Sequence, residues 1–314
     1  MSKYIVTGGA GFIGSNIVER LLKEGKETVV IDNFSTGKKK NLDIASKNKN
    51  CKIVEGDIRN INILLDNFSK DAIVFHQAAI PSVQRSIADP VTTSEVNIQG
   101  TLNVLTAARK KGVHRVIFAG SSSVYGNSPT LPKVETMSPS PMSPYALQKL
   151  SAEYYCGLFY ELYGLETISL RYFNVFGPHQ DPASEYAAVI PKFITSAILG
   201  QAPIIYGNGE QSRDFTYIDN VVNANLLALD AEKTKGEAVN VACRERHSLN
   251  QLVKMLSDIL NTCIAPVYAE PRKGDVKDSL ADISLAKKVI NYEPVVTFKN
   301  GLIKTIEWYK EKQV

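Results

Sequence analysis

Apolar residues follow two alternating rhythms along this chain. Short runs rich in β-branched and aromatic residues read as buried strands: "KYIVTGG", "TVVIDN", "CKIVEGDI", "AIVFHQAA", "RVIFAGSS" and "ETISLRYFNVFG". Between them the spacing turns helical. "FIGSNIVERLLKEG" puts Ile13, Ile17, Leu21 and Leu22 on one face and stops at Gly25. "TTSEVNIQGTLNVLTAARKKG" predicts a stripe of Ile98, Thr101, Leu102, Leu105 and Ala108, ended by Gly112. "SPYALQKLSAEYYCGLFYELYG" predicts a long helix after Pro144. Strands that alternate with helices imply parallel pairing through right-handed crossovers, an α/β doubly wound parallel sheet.

Beyond about Phe176 the rhythm loosens. "YAAVIPKFITSAILGQ" is helical, while "EAVNVAC" and "APVYAE" are strand-like and separated by longer irregular connections. The expected division is a sheet domain over 1–175 and a smaller C-terminal α/β portion over 176–314. The second lies over the sheet's carboxyl edge, with some segments returning to it.

Composition narrows the function classes. Of 314 residues, 44% are apolar and the net charge is +4, too weak and dispersed to argue for nucleic acid or a membrane surface. "GKKKN" at 37–41 is the one dense basic run and reads as a solvated loop. Four scattered cysteines form no CxxC pair, so no metal site is expected and thiols should stay free in a reducing compartment. No apolar run is long enough to span a bilayer, and "MSKYIVTGG" enters a strand at once, so a soluble cytoplasmic protein is expected.

Two motifs carry chemistry. "TGGAGFIG" places Gly8, Gly11 and Gly14 in the spacing GxxGxxG between a strand and a helix. Glycines there permit a tight turn, close backbone approach to a pyrophosphate, and helix–strand packing; the helix N-terminus then faces the phosphates. Asp32 ends the second strand, where a carboxylate bonds ribose hydroxyls and repels a 2′-phosphate, so NAD is favoured over NADP. Tyr145 and Lys149, in "YALQK", share a helix face at i, i+4. A neighbouring ammonium favours the phenolate, which predicts a lowered Tyr145 pKa and a general base. With 14 tyrosines, about one YxxxK match is expected by chance. The order of motifs adds the weight: Gly-rich loop, Asp32, "EGDI", "HQAA", "SSSVYG", then YxxxK.

In that order the chain resembles the extended short-chain dehydrogenase/reductase family over essentially its whole length. Within it, the chain looks most like the nucleotide-sugar 4-epimerases that act on UDP-hexoses. The resemblance implies a Rossmann-type NAD-binding domain followed by a UDP-sugar-binding domain. It implies that Tyr145 is the catalytic phenol, Ser121 the hydroxyl that assists it, and Lys149 its partner. Ser122 would line the sugar pocket and Tyr125 would be structural. Gly11, Phe12 and Ile13 would cover the pyrophosphate, and Asp32 and Asn33 would hold the adenine ribose. Asp57 and Ile58 would flank adenine, and Gln77 would sit near the nicotinamide half, whose ribose Lys149 would also bond.

On the substrate side it implies Asn174 near the diphosphate and Ser86 toward the sugar. Tyr206, Asn208 and Arg213 would take uracil, ribose and phosphate. Arg272 would meet the diphosphate and Asp275 the uridine ribose. Ser279 would set the pocket size and leave room for a 2-acetamido group. A dTDP-glucose 4,6-dehydratase would carry an Asp-Glu pair where Ser122 and Ser123 stand. A UDP-glucuronate 4-epimerase or decarboxylase stays open as the alternative. An NAD-binding sensor without turnover is remote, because such proteins lack the Tyr/Lys pair. The family also pairs the helices near 92–112 and 143–164 across a homodimer.

Overall fold

The structure, a computed structural model, describes residues 3–182, 188–271 and 277–312. Seven strands form one sheet: β1 (Tyr4–Thr7), β2 (Thr28–Asp32), β3 (Cys51–Glu55), β4 (Ile73–His76), β5 (Arg115–Ser121), β6 (Glu166–Tyr172) and β7 (Ala238–Val241). Their order is β7-β6-β5-β4-β1-β2-β3, and every neighbouring pair is parallel. This is a Rossmann-type doubly wound sheet with a seventh strand added from the chain's second half.

Adjacent residues in the strands feed opposite faces, as the two-residue period requires. Val6, Val30, Phe75 and Ile117 enter one core, with helices Phe12–Lys23 and Ile218–Asp230. Ile5, Val29, Val74 and Val116 enter the other, with helices Thr101–Lys111 and Pro144–Tyr163. Burial on both faces explains why the strands read as continuous apolar runs. Arg115 of β5 ties the layers together. Its guanidinium forks onto Glu166 of β6 at 2.9 and 2.5 Å and donates to the carbonyls of Ala228 and Leu229, where the helix Ile218–Asp230 ends.

The helix expected near 92–112 forms, but its phase differs from the predicted stripe. Thr101, Leu105 and Ala108 are buried as expected, while Ile98 and Leu102 are only half-buried and Val96, Asn97 and Val104 are buried in addition. Glu95–Gly100 winds as a π-turn, and its wider turn shifts the face presented to the sheet.

After β6 the chain builds small paired strands: Val175–Phe176 with Thr216–Tyr217, Ser212–Arg213 with His247–Ser248, and Ile204–Tyr206 with Val267–Ala269. The segment that follows Val175–Phe176 reaches back over the Gly-rich loop. There the Asn16 amide donates to Pro178 O at 3.1 Å, and the Ser15 hydroxyl meets His179 Nδ1 at 2.8 Å. Among the described residues, no helix is long and apolar enough to cross a membrane.

Candidate active site

At the carboxyl ends of β1 and β4, where the strand order reverses, lies a cavity of about 480 Å³. Gly8, Gly11, Phe12, Ile13 and Gly14 form its floor. The glycines are sterically required. Gly8 sits at φ +70°, and a Cβ on it would lie 2.6 Å from Ala78 Cα. A Cβ on Gly14 would lie 2.2 Å from the Gly8 carbonyl oxygen. No side chain caps the helix Phe12–Lys23 and no acid lies in its first turn, so its leading N–H groups are left for an anion.

Asp32 stands at the end of β2. Its Oδ2 accepts from Ala10 N–H at 2.8 Å and its Oδ1 from Phe34 N–H at 2.8 Å. Burial pushes this carboxyl up, and the two backbone bonds pull it back. Asn33 donates to Asp57 Oδ2 at 2.9 Å, and the Arg59 guanidinium holds Asp57 down at about 2. Asp57, Ile58 and Gln77 also line the cavity. A backbone cradle, an uncapped helix start and a seated carboxylate fit the pyrophosphate and ribose of a dinucleotide. Lys38 of the basic run lines the cavity and pairs with Asp181, while Lys39 pairs with Glu55.

Tyr145 and Lys149 line the same cavity. Ser143 caps their helix and Pro144 occupies its first turn. The Ser121 hydroxyl, which pairs with Ser123 Oγ at 2.8 Å, is near enough to the Tyr145 phenol to favour its ionised form. The phenol's pKa is nevertheless raised, because burial outweighs that influence. The expected lowering by Lys149 is absent from the protein's own groups. The ammonium lies 6.0 Å from the Tyr145 ring centre, donates to Ala119 O at 2.9 Å, and faces the Phe118 ring at 4.9 Å. Burial pulls Lys149 itself down to about 8, so it is cationic below that pH.

Ser86, expected toward the sugar, is wholly buried. Its hydroxyl donates to Val83 O at 2.7 Å and accepts from Tyr145 N–H at 3.0 Å, so what it offers the site is the placement of Tyr145. Ser121 accepts from Ser123 N–H at 3.2 Å and thereby caps the short turn Ser122–Tyr125; Ser122 is half-buried in that turn.

A second cavity, about 650 Å³, is walled by Asn174, Tyr206 and Arg213 together with the helix Val189–Ile198. Ala188 lines both cavities, so the two adjoin. Asn174 is held at φ 35° and donates from Nδ2 to Asp214 O at 3.1 Å and Ser279 Oγ at 3.3 Å. Ser279 is therefore buried behind Asn174 and is not itself a wall residue of this cavity. Asn208 is exposed, its side chain accepting from Glu210 N–H at 3.1 Å. Arg272 and Asp275 lie outside the described residues.

Sequence reasoning passed over Gln180. It lines the dinucleotide cavity, and its Oε1 is buried without a hydrogen-bond partner. An unsatisfied buried acceptor is unfavourable unless a ligand uses it. No local pattern in "GPHQDP" distinguishes it, because the signal is three-dimensional.

Residues 4–242 match the sequence profile of the NAD dependent epimerase/dehydratase family. A UDP-N-acetylglucosamine 4-epimerase from Methanobrevibacter ruminantium, solved with UDP-N-acetylmuramic acid, is 41% identical with a TM-score of 0.95, over 99% of each chain. The UDP-glucose 4-epimerase of Thermotoga maritima, solved with UDP-glucose, is 38% identical with a TM-score of 0.93, over 99% of this chain and 100% of that one. The UDP-glucuronic acid 4-epimerase of Bacillus cereus, solved with UDP-glucuronic acid and NAD, is 32% identical with a TM-score of 0.90, over 99% of each chain. The profile match spans the whole glycine-loop half and runs on through β7, and on it the chain belongs to the NAD-dependent epimerase/dehydratase family.

Proposed function

We propose that the chain is a UDP-hexose 4-epimerase that interconverts UDP-N-acetylglucosamine with UDP-N-acetylgalactosamine, and UDP-glucose with UDP-galactose. One observation carries this reading: Tyr145 and Lys149 line the dinucleotide cavity, and the Ser121 hydroxyl is near enough to the Tyr145 phenol to favour its ionised form. NAD, when bound, supplies a reversible hydride acceptor beside the sugar C4.

The chain's own groups do the rest. Tyr145, ionised, takes the proton of the sugar 4-hydroxyl, with Ser121 sharing it. Lys149 favours the ionised phenol electrostatically and bonds the nicotinamide ribose. Tyr206 and Arg213 hold the uridine diphosphate while the 4-keto sugar turns its other face to the cofactor; Asn174, whose amide is committed to Asp214 O and Ser279 Oγ, shapes the same wall without bonding a phosphate. Arg272 and Asp275 are proposed for the same anchor. Asp32 and Asn33 keep the adenosine half, and Gln77 the nicotinamide half. Substrate and cofactor adjoin because the two cavities share Ala188.

The test is incubation with UDP-glucose, UDP-N-acetylglucosamine and UDP-glucuronate, with the C4 epimers resolved. Interconversion of UDP-glucuronate alone would move the assignment to the uronate branch. Ser279 would act on sugar choice through Asn174, which it backs, because a larger residue there would push Asn174 into the cavity. Ser279→Tyr is expected to lower kcat/KM on the N-acetylated pair about tenfold or more while sparing UDP-galactose. Equal losses on both would remove the pocket-size argument.

We also propose a homodimer built on the helix Pro144–Tyr163. Leu147, Tyr154, Leu158 and Leu162 recur on one face of it and are exposed by 54%, 56%, 45% and 66%. Such an apolar stripe on one helix face marks an interface. Light scattering should give twice the chain mass for the parent and the single mass for Leu158→Asp/Leu162→Asp. A monomeric parent refutes the assembly.

A further inference from the structure

Ser121 and Tyr145 must meet, yet they sit on different elements. Ser121 caps the turn Ser122–Tyr125, and Tyr145 starts the helix Pro144–Tyr163. These elements are cross-braced through one buried phenol. Tyr125 is 2% exposed; its hydroxyl donates to Asn240 Oδ1 at 2.7 Å and accepts from Arg171 Nη1 at 2.7 Å. The same guanidinium grips Glu153 through Nε at 2.9 Å and Nη2 at 2.6 Å. Glu153 lies one turn beyond Lys149 and two turns beyond Tyr145 on the catalytic helix.

The turn has no slack of its own. Gly126 follows Tyr125 at φ +56°, and a Cβ there would lie 2.0 Å from Ser140 O. A buried ion pair of this kind is weak evidence for stability, since apolar groups of the same volume often serve as well. What a bidentate fork does supply is fixed geometry.

We propose that Tyr125 is a positioning residue: by joining Arg171 to the turn, it sets the approach of the Ser121 hydroxyl to the Tyr145 phenol. This rests on the epimerase reading above, in which those two hydroxyls handle the substrate proton. Asn240 anchors the other side of the phenol in β7, and its amide in turn donates to the carbonyls of Lys133 and Asp282, both at 3.0 Å. The brace therefore spans the catalytic helix, β6, the serine turn and β7.

Tyr125→Phe keeps the ring and deletes the bridging oxygen. The expected signature is a roughly tenfold fall in kcat on a UDP-hexose with KM held within about twofold, because reacting-group alignment is lost and substrate binding is not. On a Ser121→Ala background the same change should have no further effect, since no hydroxyl remains to be placed. Arg171→Lys keeps the charge but cannot span Glu153 and Tyr125 together. It is expected to reproduce the signature, and it carries the test if Tyr125→Phe fails to fold. A lowered Tm with unchanged kcat, measured well below the transition, overturns the proposal. So does a Tyr125→Phe loss that multiplies with that of Ser121→Ala. A parent enzyme that interconverts no C4 epimers defeats both this proposal and the reading beneath it.

Discussion

Tyr145→Phe is expected to lower kcat by roughly a thousandfold, within the range that a positioned acid–base group contributes. The change removes one oxygen and leaves the supports of the ring in place. Ser86 still receives the Tyr145 backbone N–H, Ser143 still caps the helix, and Lys149 still donates to Ala119 O. Cofactor content and Tm should therefore match the parent. That combination separates loss of proton transfer from loss of the site. Burial raises the phenol's pKa in the protein alone, so catalysis must stabilise the phenolate through charge brought close to it. Lys149, cationic below about 8, is the residue available for that. A Phe variant within tenfold of the parent would mean that the phenol is not the base.

Gly14→Ala should weaken dinucleotide binding at least a hundredfold. The added methyl would stand 2.2 Å from the Gly8 carbonyl oxygen and 2.9 Å from Gly9 Cα. Both obstacles are backbone, so relief requires the helix Phe12–Lys23 to move off β1. Overpacking of this kind destabilises by about 1–3 kcal/mol, and the displaced helix start no longer meets the phosphates. Calorimetric titration with NAD should show at least a hundredfold weaker Kd, together with a lower Tm. Unchanged affinity would show that the glycines serve the turn alone.

The strand–helix alternation was legible because the sheet is buried on both faces. Neighbours such as Ile5 and Val6 each enter a core, so whole runs had to be apolar. The glycine loop was legible because a phosphate cradle is a local arrangement of a few consecutive residues, and Asp32 because it stands at the end of the very next strand. What escaped was set by tertiary contact or by a break in period. The π-turn at Glu95–Gly100 changes the helix phase without any marker residue. The resemblance placed Ser86 toward the sugar, and nothing in its sequence neighbourhood spoke of its bond to Tyr145 N–H, which crosses 59 positions. The i, i+4 spacing correctly put Lys149 on the face of Tyr145. It could not show that the ammonium turns to the Ala119 carbonyl, because that partner comes from β5. Gln180 stayed silent for the same reason.

The placement of β7 bears on how the chain comes to be folded. Six strands of the sheet are complete once Tyr172 has been made, yet the seventh arrives only with Ala238–Val241. Until then β6 presents Glu166–Tyr172 with one row of backbone groups unpaired, on a strand whose side chains are almost all buried in the finished fold. An open, apolar edge of that kind recruits other chains. Pairing β7 with β6 closes it by a contact of long sequence separation, the slow kind. Synthesis of the second half is thus also protection for the first, and a fragment ending after β6 would be prone to aggregate.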